Sequence, residues 1–301
     1  MALLDRAIVK LLPAVPKPVV QRISSRYIAG ATLDDAVRVV RALNADGKLA
    51  TVDVLGEEIH DAAETASFVR AYEEVLEAIE RERLDSSISI KLTALGLKVD
   101  HDLCRRNLVE VVGHAAARGN FVRIDMEDSS TTTDTLQLYR ELREAGYDNV
   151  GVVLQAYMRR TVADIRDLAD LKPNVRLCKG IYVEPPELAF RDFDAVRANF
   201  VQALDELLAA DAYVGVATHD EWLIGQALER VAGMAAKDYE FQMLLGVREG
   251  RADELVAAGH RLRIYTPFGR EWYGYSLRRL QENPKVAGYI AGDTLGRLIG
   301  R

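Results

Sequence analysis

Val150-Gly151-Val152-Val153-Leu154-Gln155-Ala156-Tyr157 is an apolar, β-branched run whose end carries two hydrogen-bonding side chains, Gln155 and Tyr157. Its length and composition suit a strand buried on both faces, as parallel sheets require. Seven more such runs follow or precede it, over 49–55, 87–92, 121–126, 175–182, 213–218, 239–245 and 262–265. Amphipathic stretches separate them, over 62–83, 103–117, 133–145, 162–168, 193–209, 221–234 and 252–258. In these, apolar residues recur at three and four, as in Phe68, Tyr72, Val75, Leu76 and Ile79. Eight strand–helix units within about 250 residues predict an α/β chain closed into a (β/α)₈ barrel, in preference to an open doubly wound sheet.

Residues 1–46 read as a helical flank and 47–301 as the barrel. Pro13, Pro16 and Pro18 interrupt the first segment. Thr32, with Asp35 three residues on, starts a second helix whose apolar face runs through Val37, Val40 and Leu43, and Gly47 ends it.

Of the 301 residues, 49% are hydrophobic and 28% charged, and the net charge of -7 argues against a nucleic-acid partner. Two cysteines, Cys104 and Cys178, form no spaced framework, so a reducing cytoplasm is expected. Residues 1–12 carry Asp5, Arg6 and Lys10 and do not read as a secretory signal. No apolar run reaches membrane-spanning length, which leaves peripheral membrane contact open. There is no Gly-rich dinucleotide fingerprint, phosphate loop, zincin-spaced His/Glu pair or Gly-x-Ser-x-Gly elbow.

Barrel enzymes place their chemistry at the C-terminal ends of the strands. Here the second run ends Ile90-Lys91-Leu92 and the third Ile124-Asp125-Met126-Glu127. The fifth carries Arg176 and Lys179, the sixth Thr218 and His219, the seventh Glu240 and Gln242, and the eighth Tyr265. Singly, each is ordinary: a strand-end acid is usually solvated, a strand-end Thr or His usually a turn residue. Lys91 with Asp125 reads either as an interior ion pair or as an imine-forming lysine beside an acid.

After the eighth run comes Tyr275-Ser276-Leu277-Arg278-Arg279-Leu280-Gln281-Glu282. On a helix, Tyr275, Arg278, Arg279 and Glu282 share one face. Two adjacent guanidiniums suit a carboxylate or phosphate, which each can meet with paired hydrogen bonds. The bland alternative is a solvated helix edge with an Arg278/Glu282 pair. With Arg176 and Lys179, the chain offers two regions for anionic ligands: one for a small carboxylate, one for a pyrophosphate or an electron-rich ring.

In series, these pieces resemble the proline dehydrogenases over essentially the whole barrel. The carrying motifs are Ser89-Ile90-Lys91-Leu92-Thr93-Ala94-Leu95, Ile124-Asp125-Met126-Glu127-Asp128, Leu154-Gln155-Ala156-Tyr157 and Arg176-Leu177-Cys178-Lys179-Gly180-Ile181-Tyr182. Ala217-Thr218-His219-Asp220, Glu240-Phe241-Gln242-Met243-Leu244, Ile264-Tyr265-Thr266-Pro267-Phe268-Gly269 and Tyr275-x-x-Arg278-Arg279-x-x-Glu282-Asn283 continue the series. The resemblance implies a distorted TIM-like barrel with N-terminal helices and a final helix over its mouth. It implies an FAD enzyme that oxidises L-proline to Δ1-pyrroline-5-carboxylate, in the single-function bacterial form.

By the same resemblance Asp125, Arg176 and Lys91 are the catalytic set. Lys91, Arg278 and Arg279 hold the substrate carboxylate, Glu282 fixes one arginine, Leu244, Tyr265 and Tyr275 wall the ring, and Asp125 lies on its amine side. Met126, Gln155, Arg176, Lys179, Gly180, Ile181, Thr218 and His219 contact FAD, with Ile181 standing where relatives usually have alanine. Glu57 or Glu58 pairs with a clamp arginine as a gate. A membrane quinone takes the electrons, with the chain at the inner membrane surface, and a separate pyrroline-5-carboxylate (glutamate semialdehyde) dehydrogenase takes the product. The competing readings are a lyase or aldolase using Lys91 or Lys179 as an imine-forming amine, and a catalytically silent barrel.

Overall fold

A computed structural model describes residues 26–56, 59 and 61–272. Eight parallel strands close into a barrel in which each pairs with the next in sequence and the eighth returns to the first. They are β1 (Leu49–Val54), β2 (Ser86–Ile90), β3 (Val122–Ile124), β4 (Val150–Gln155), β5 (Asn174–Cys178), β6 (Tyr213–Ala217), β7 (Tyr239–Leu244) and β8 (Leu262–Phe268). The closure runs in register from Leu49 opposite Arg263 to Val54 opposite Phe268.

Among the described residues the helices are α1 (Leu33–Ala45), α2 (Ala62–Glu82), α3 (His101–Ala117), α4 (Thr132–Glu144), α5 (Thr161–Leu168), α6 (Phe193–Ala209), α7 (Glu221–Arg230) and α8 (Glu249–Ala257). A reciprocal capping box starts α1: Thr32 Oγ1 accepts from the Asp35 amide, and Asp35 Oδ2 accepts from the Thr32 amide. The buried stripe of α1 is Ala36 and Val40, with Leu43 beside it, so Val37 lies off the expected face. Gly47, at φ 73, takes the left-handed turn that lets the chain leave α1 and enter β1.

Every residue of β4 is buried, as its composition requires. The other strands do something a continuous apolar reading misses. Ser87-Ile88-Ser89-Ile90, Arg123-Ile124-Asp125, Glu240-Phe241-Gln242-Met243 and Arg263-Ile264-Tyr265 alternate with period two. The apolar members join the layer between barrel and helices. The polar members point into the lumen, because they meet partners on strands that are not neighbours: Arg176 of β5 reaches Asp125 beyond β3 and Gln242 of β7.

Several boundaries differ from the sequence expectation. β5 stops at Cys178, so Lys179, Gly180 and Ile181 belong to the following loop. Gly180 sits at φ 98, and a Cβ there would overlap the Tyr157 ring, so the chain turns where any side chain would block it. β8 runs on to Phe268, α7 ends at Arg230, and α8 begins at Glu249. The expected helix over 275–282 lies outside the described residues, as do Glu57 and Glu58. No helix among the described residues is long and apolar enough to cross a membrane.

Candidate active site

The register of β1 and β2 sets Asp53 opposite Ser89, and Lys91 follows one residue past the end of β2. Asp53 is fully buried (0% exposed), and both its oxygens take Lys91 Nζ, at 3.0 and 2.9 Å. Lys91 lies 3.9 Å from Asp125 Oδ2. Burial raises the Asp53 carboxyl above its ordinary value, against the pull of the Lys91 charge. Burial also disfavours the Lys91 ammonium, but Asp53, Tyr265 and Asp125 outweigh it and raise Lys91 well above 10.5. A lysine held as an ammonium by a bidentate carboxylate is a poor imine-forming nucleophile, which counts against the aldolase reading.

Asp125 is the meeting point of four strands' side chains. Its Oδ1 accepts from Ser89 Oγ (2.6 Å) and Arg176 Nη1 (2.6 Å), and its Oδ2 from the Tyr265 hydroxyl (2.9 Å). The Asp125 side chain keeps 12% of its surface open, unlike Asp53. Arg176 is buried, its guanidinium carbon lies 5.2 Å from the Tyr265 ring centroid, and its Nε donates to Gln242 Oε1. Arg176 Nη2 has no hydrogen-bond partner among the described residues. The arrangement fixes a carboxylate and a guanidinium against an aromatic wall, with an ammonium alongside.

The second region follows β4, β5 and β6. Gln155 Nε2 donates to the Met126 and Glu127 carbonyls, at 3.2 and 3.3 Å, and its Oε1 accepts nothing among the described residues. Met126 itself is buried in the main core. Glu127 braces the loop after β2, taking the Thr93 amide (3.0 Å) and hydroxyl (2.5 Å). Lys179 Nζ lies 2.5 Å from Asp220 Oδ2 and 4.4 Å over the Phe193 ring. Arg197 grips the same carboxylate at 2.9 and 2.7 Å. Thr218 Oγ1 accepts from the Asp220 amide, and His219 Nε2 from the Leu244 amide at 3.0 Å, which ties the ends of β6 and β7. That acceptor role places the His219 ring proton on Nδ1. Ile181 and Val183 project from the β5 loop as exposed apolar side chains.

The hydrogen bonds from Arg197 hold Asp220 well below the usual carboxylate range, against its burial and together with Lys179. A depressed carboxyl adds stability above the unfolded value, 3.8, and loses it as the pH falls below. Asp220→Asn keeps the cap on α7 and should therefore cost about 1–3 kcal/mol at neutral pH. The gap between denaturant melts of the two proteins should begin to narrow as the pH falls through about 4 and go on narrowing toward the depressed folded-state value. A gap that persisted unchanged at pH 3 would assign the loss to packing.

The structure thus brings Lys91, Asp125, Arg176 and Tyr265 together, with Gln155, Lys179, Gly180, Ile181, Thr218, His219 and Leu244 on the same strand ends or the loops after them. Tyr275, Arg278, Arg279 and Glu282 lie outside the described residues. Sequence reasoning missed Asp53. Its signal was present in Thr51-Val52-Asp53-Val54, which carries an acid at an inward position of the first run.

A profile for the proline dehydrogenase family matches residues 36–291. The chain is 37% identical over 267 residues to proline dehydrogenase 1 of Bacillus subtilis, covering 88% of each chain. It is 36% identical over 279 residues to the proline dehydrogenase of Deinococcus radiodurans, covering 91% of this chain and 90% of that one. Among solved structures, proline utilization A (PutA) from Bdellovibrio bacteriovorus superposes with a TM-score of 0.83 at 22% identity, over 92% of this chain. The chain spans 36% of that larger protein, and the likeness carries the barrel architecture.

Proposed function

This chain belongs to the proline dehydrogenase family and is an oxidoreductase of proline catabolism, and from that premise we propose the finer reading: hydride transfer from L-proline to FAD at the β-strand ends described above. The carrying observation is the Lys91–Asp125–Arg176–Tyr265 cluster, built from four strands and left with an open donor. On this reading residues 47–301 form the catalytic unit and 1–46 its helical flank.

The residues present fit a flavin. The pyrimidine edge of an isoalloxazine alternates carbonyls with an N–H and so needs donors flanking an acceptor. Arg176 Nη2 is a donor and Gln155 Oε1 an acceptor without protein partners among the described residues. Lys179 would share its charge between Asp220 and an anionic group, and exposed Ile181 offers apolar contact to a ring. Gly180 keeps the loop close to Tyr157. FAD, when bound, supplies the two-electron acceptor.

The chain's own residues supply pose and proton control. Arg278 and Arg279 clamp the substrate carboxylate, with Glu282 fixing one of them and Glu57 or Glu58 closing the gate. Lys91 presents its remaining N–H to that carboxylate while Asp53 holds the other side of the ammonium. Tyr265, Tyr275 and Leu244 confine the ring. Asp125, with Oδ2 toward Tyr265, is the partly open carboxylate that accepts a hydrogen bond from the substrate amine and stabilises the positive charge that builds on the ring as hydride leaves. Fixing the ring this way supplies several kcal/mol of barrier reduction, ~7–11 at the extreme. Electrons pass on to a membrane quinone from a cytoplasmic chain touching the inner membrane surface, and a separate pyrroline-5-carboxylate dehydrogenase consumes the product.

The test is an absorbance spectrum of the purified protein before and after anaerobic L-proline. The expected result is a yellow protein whose flavin band bleaches. A protein that takes up no FAD, or whose flavin ignores proline, overturns the reading; borohydride trapping of a carbonyl substrate on Lys91 or Lys179 would replace it with the imine reading.

A further inference from the structure

Barrels of this type usually fill the lumen with branched apolar side chains. Here a polar column runs from β8 to the site. Arg263 Nε donates to Glu240 Oε1 at 2.7 Å, and Gln242 Nε2 donates to the same oxygen at 2.5 Å. Gln242 Oε1 then accepts from Arg176 Nε at 2.6 Å, and Arg176 Nη1 reaches Asp125. Glu240 and Gln242 are 1% and 5% exposed, so these bonds lie in a low-dielectric interior that strengthens them.

The direction of each bond is forced. Arg263 and Arg176 can only donate. Glu240 stays ionised: burial favours its neutral acid, but the Arg263 charge and the donors from Arg263 and Gln242 hold it below the ordinary carboxylate range. An ionised Glu240 accepts only, so the Gln242 amide must turn its NH₂ toward Glu240 and its oxygen toward Arg176. Turned over, it would set donor against donor and acceptor against acceptor. The sequence also makes room for this amide. Gly215 of β6 lies opposite Glu240 in register, and a Cβ there would run into Gln242 Nε2.

We infer that Glu240 and Gln242 are positioning residues for the reaction: they hold Arg176 by its Nε edge, so that Nη1 goes to Asp125 and Nη2 is the donor left for the ligands. The inference rests on the assignment of Arg176 to the flavin and substrate site.

The test compares Gln242→Glu, Glu240→Gln and the exchanged pair E240Q/Q242E, each loaded with FAD. Gln242→Glu puts two buried carboxylates side by side. Glu240→Gln frees the Gln242 amide to turn over. The pair restores one acceptor for Arg176, one donor between the two positions, one acceptor for Arg263, and the original charge. A misplacement on the order of 1 Å can cost ~100-fold in rate, so each single variant should lose roughly tenfold or more in kcat with little change in KM for proline. A tenfold loss of preference for reduced flavin should lower the midpoint potential by about 30 mV for a two-electron couple. The pair should return both quantities to within about threefold of the unsubstituted protein. Should Gln242→Glu fail to accumulate, Glu240→Gln and the pair make the same comparison.

Singles with normal kcat and potential, whatever their melting temperature, would reduce the column to a structural element and overturn the inference, as would a pair no better than Glu240→Gln. Failure of the unsubstituted protein to bind FAD or respond to proline would instead overturn the flavin assignment.

Discussion

Asp53→Ala should lower folding stability by about 3–5 kcal/mol, because it strips a buried ammonium of its principal partner. The carboxylate is fully buried and takes Lys91 Nζ with both oxygens, while the nearest other anion, Asp125, stands 3.9 Å away and already serves Ser89, Arg176 and Tyr265. At roughly 2–4 °C per kcal/mol for a chain of this size, Tm should fall by roughly 6–20 °C. Most of the cost belongs to the stranded Lys91 charge, so Lys91→Met introduced with Asp53→Ala should recover a large part of it. Thermal melts of the single and double variants check this. A single variant melting within about 2 °C of the parent would mean that Lys91 finds solvent or sheds its proton, and the picture of a rigid anchored ammonium would fail.

Removing both arginines of the proposed clamp, Arg278→Met with Arg279→Met, should lower kcat/KM for L-proline by about 10²–10⁴. Each charge-assisted hydrogen bond contributes on the order of 1.5–3 kcal/mol, so the two arginines together contribute roughly 3–6, and every ~1.4 kcal/mol is tenfold. Lys91, held in place by Asp53, keeps part of the carboxylate attraction, which pulls the result toward the lower end. The discriminating control is pyrrolidine, the same ring without a carboxylate. Its oxidation should change little in the double variant, so the preference for proline over pyrrolidine should collapse. An equal fall for both substrates would show that the arginines shape the mouth without gripping the carboxylate.

Both expectations draw on information of different kinds. The proposed arginine clamp, which lies outside the described residues, was read from a local pattern: the i, i+3, i+4 and i+7 spacing of Tyr275, Arg278, Arg279 and Glu282 on one short stretch. Strand number and order were legible for a similar reason, since eight apolar runs separated by amphipathic ones leave few closed arrangements, and the barrel is closed in that order. Asp53 was not, although Thr51-Val52-Asp53-Val54 carried an inward acid in plain view. An acid in a strand has no recognisable role until the register with β2 brings Lys91 to it. Lys179 shows the converse: the sequence puts it in the fifth run, whereas β5 stops at Cys178 and leaves it in a loop, where it also pairs with Asp220.

By itself the sequence determined the barrel, the order of its strands, and which strands end in hydrogen-bonding or charged groups, because period-two and period-3.6 patterns are properties of neighbouring residues. The tertiary structure decided which of those groups are partners. Asp125 is joined to Arg176 across 51 positions and to Tyr265 across 140, and Gln242 to Arg176 across 66. Those pairings depend on barrel stagger and on the space left at Gly215, quantities fixed only when all eight strands close at once.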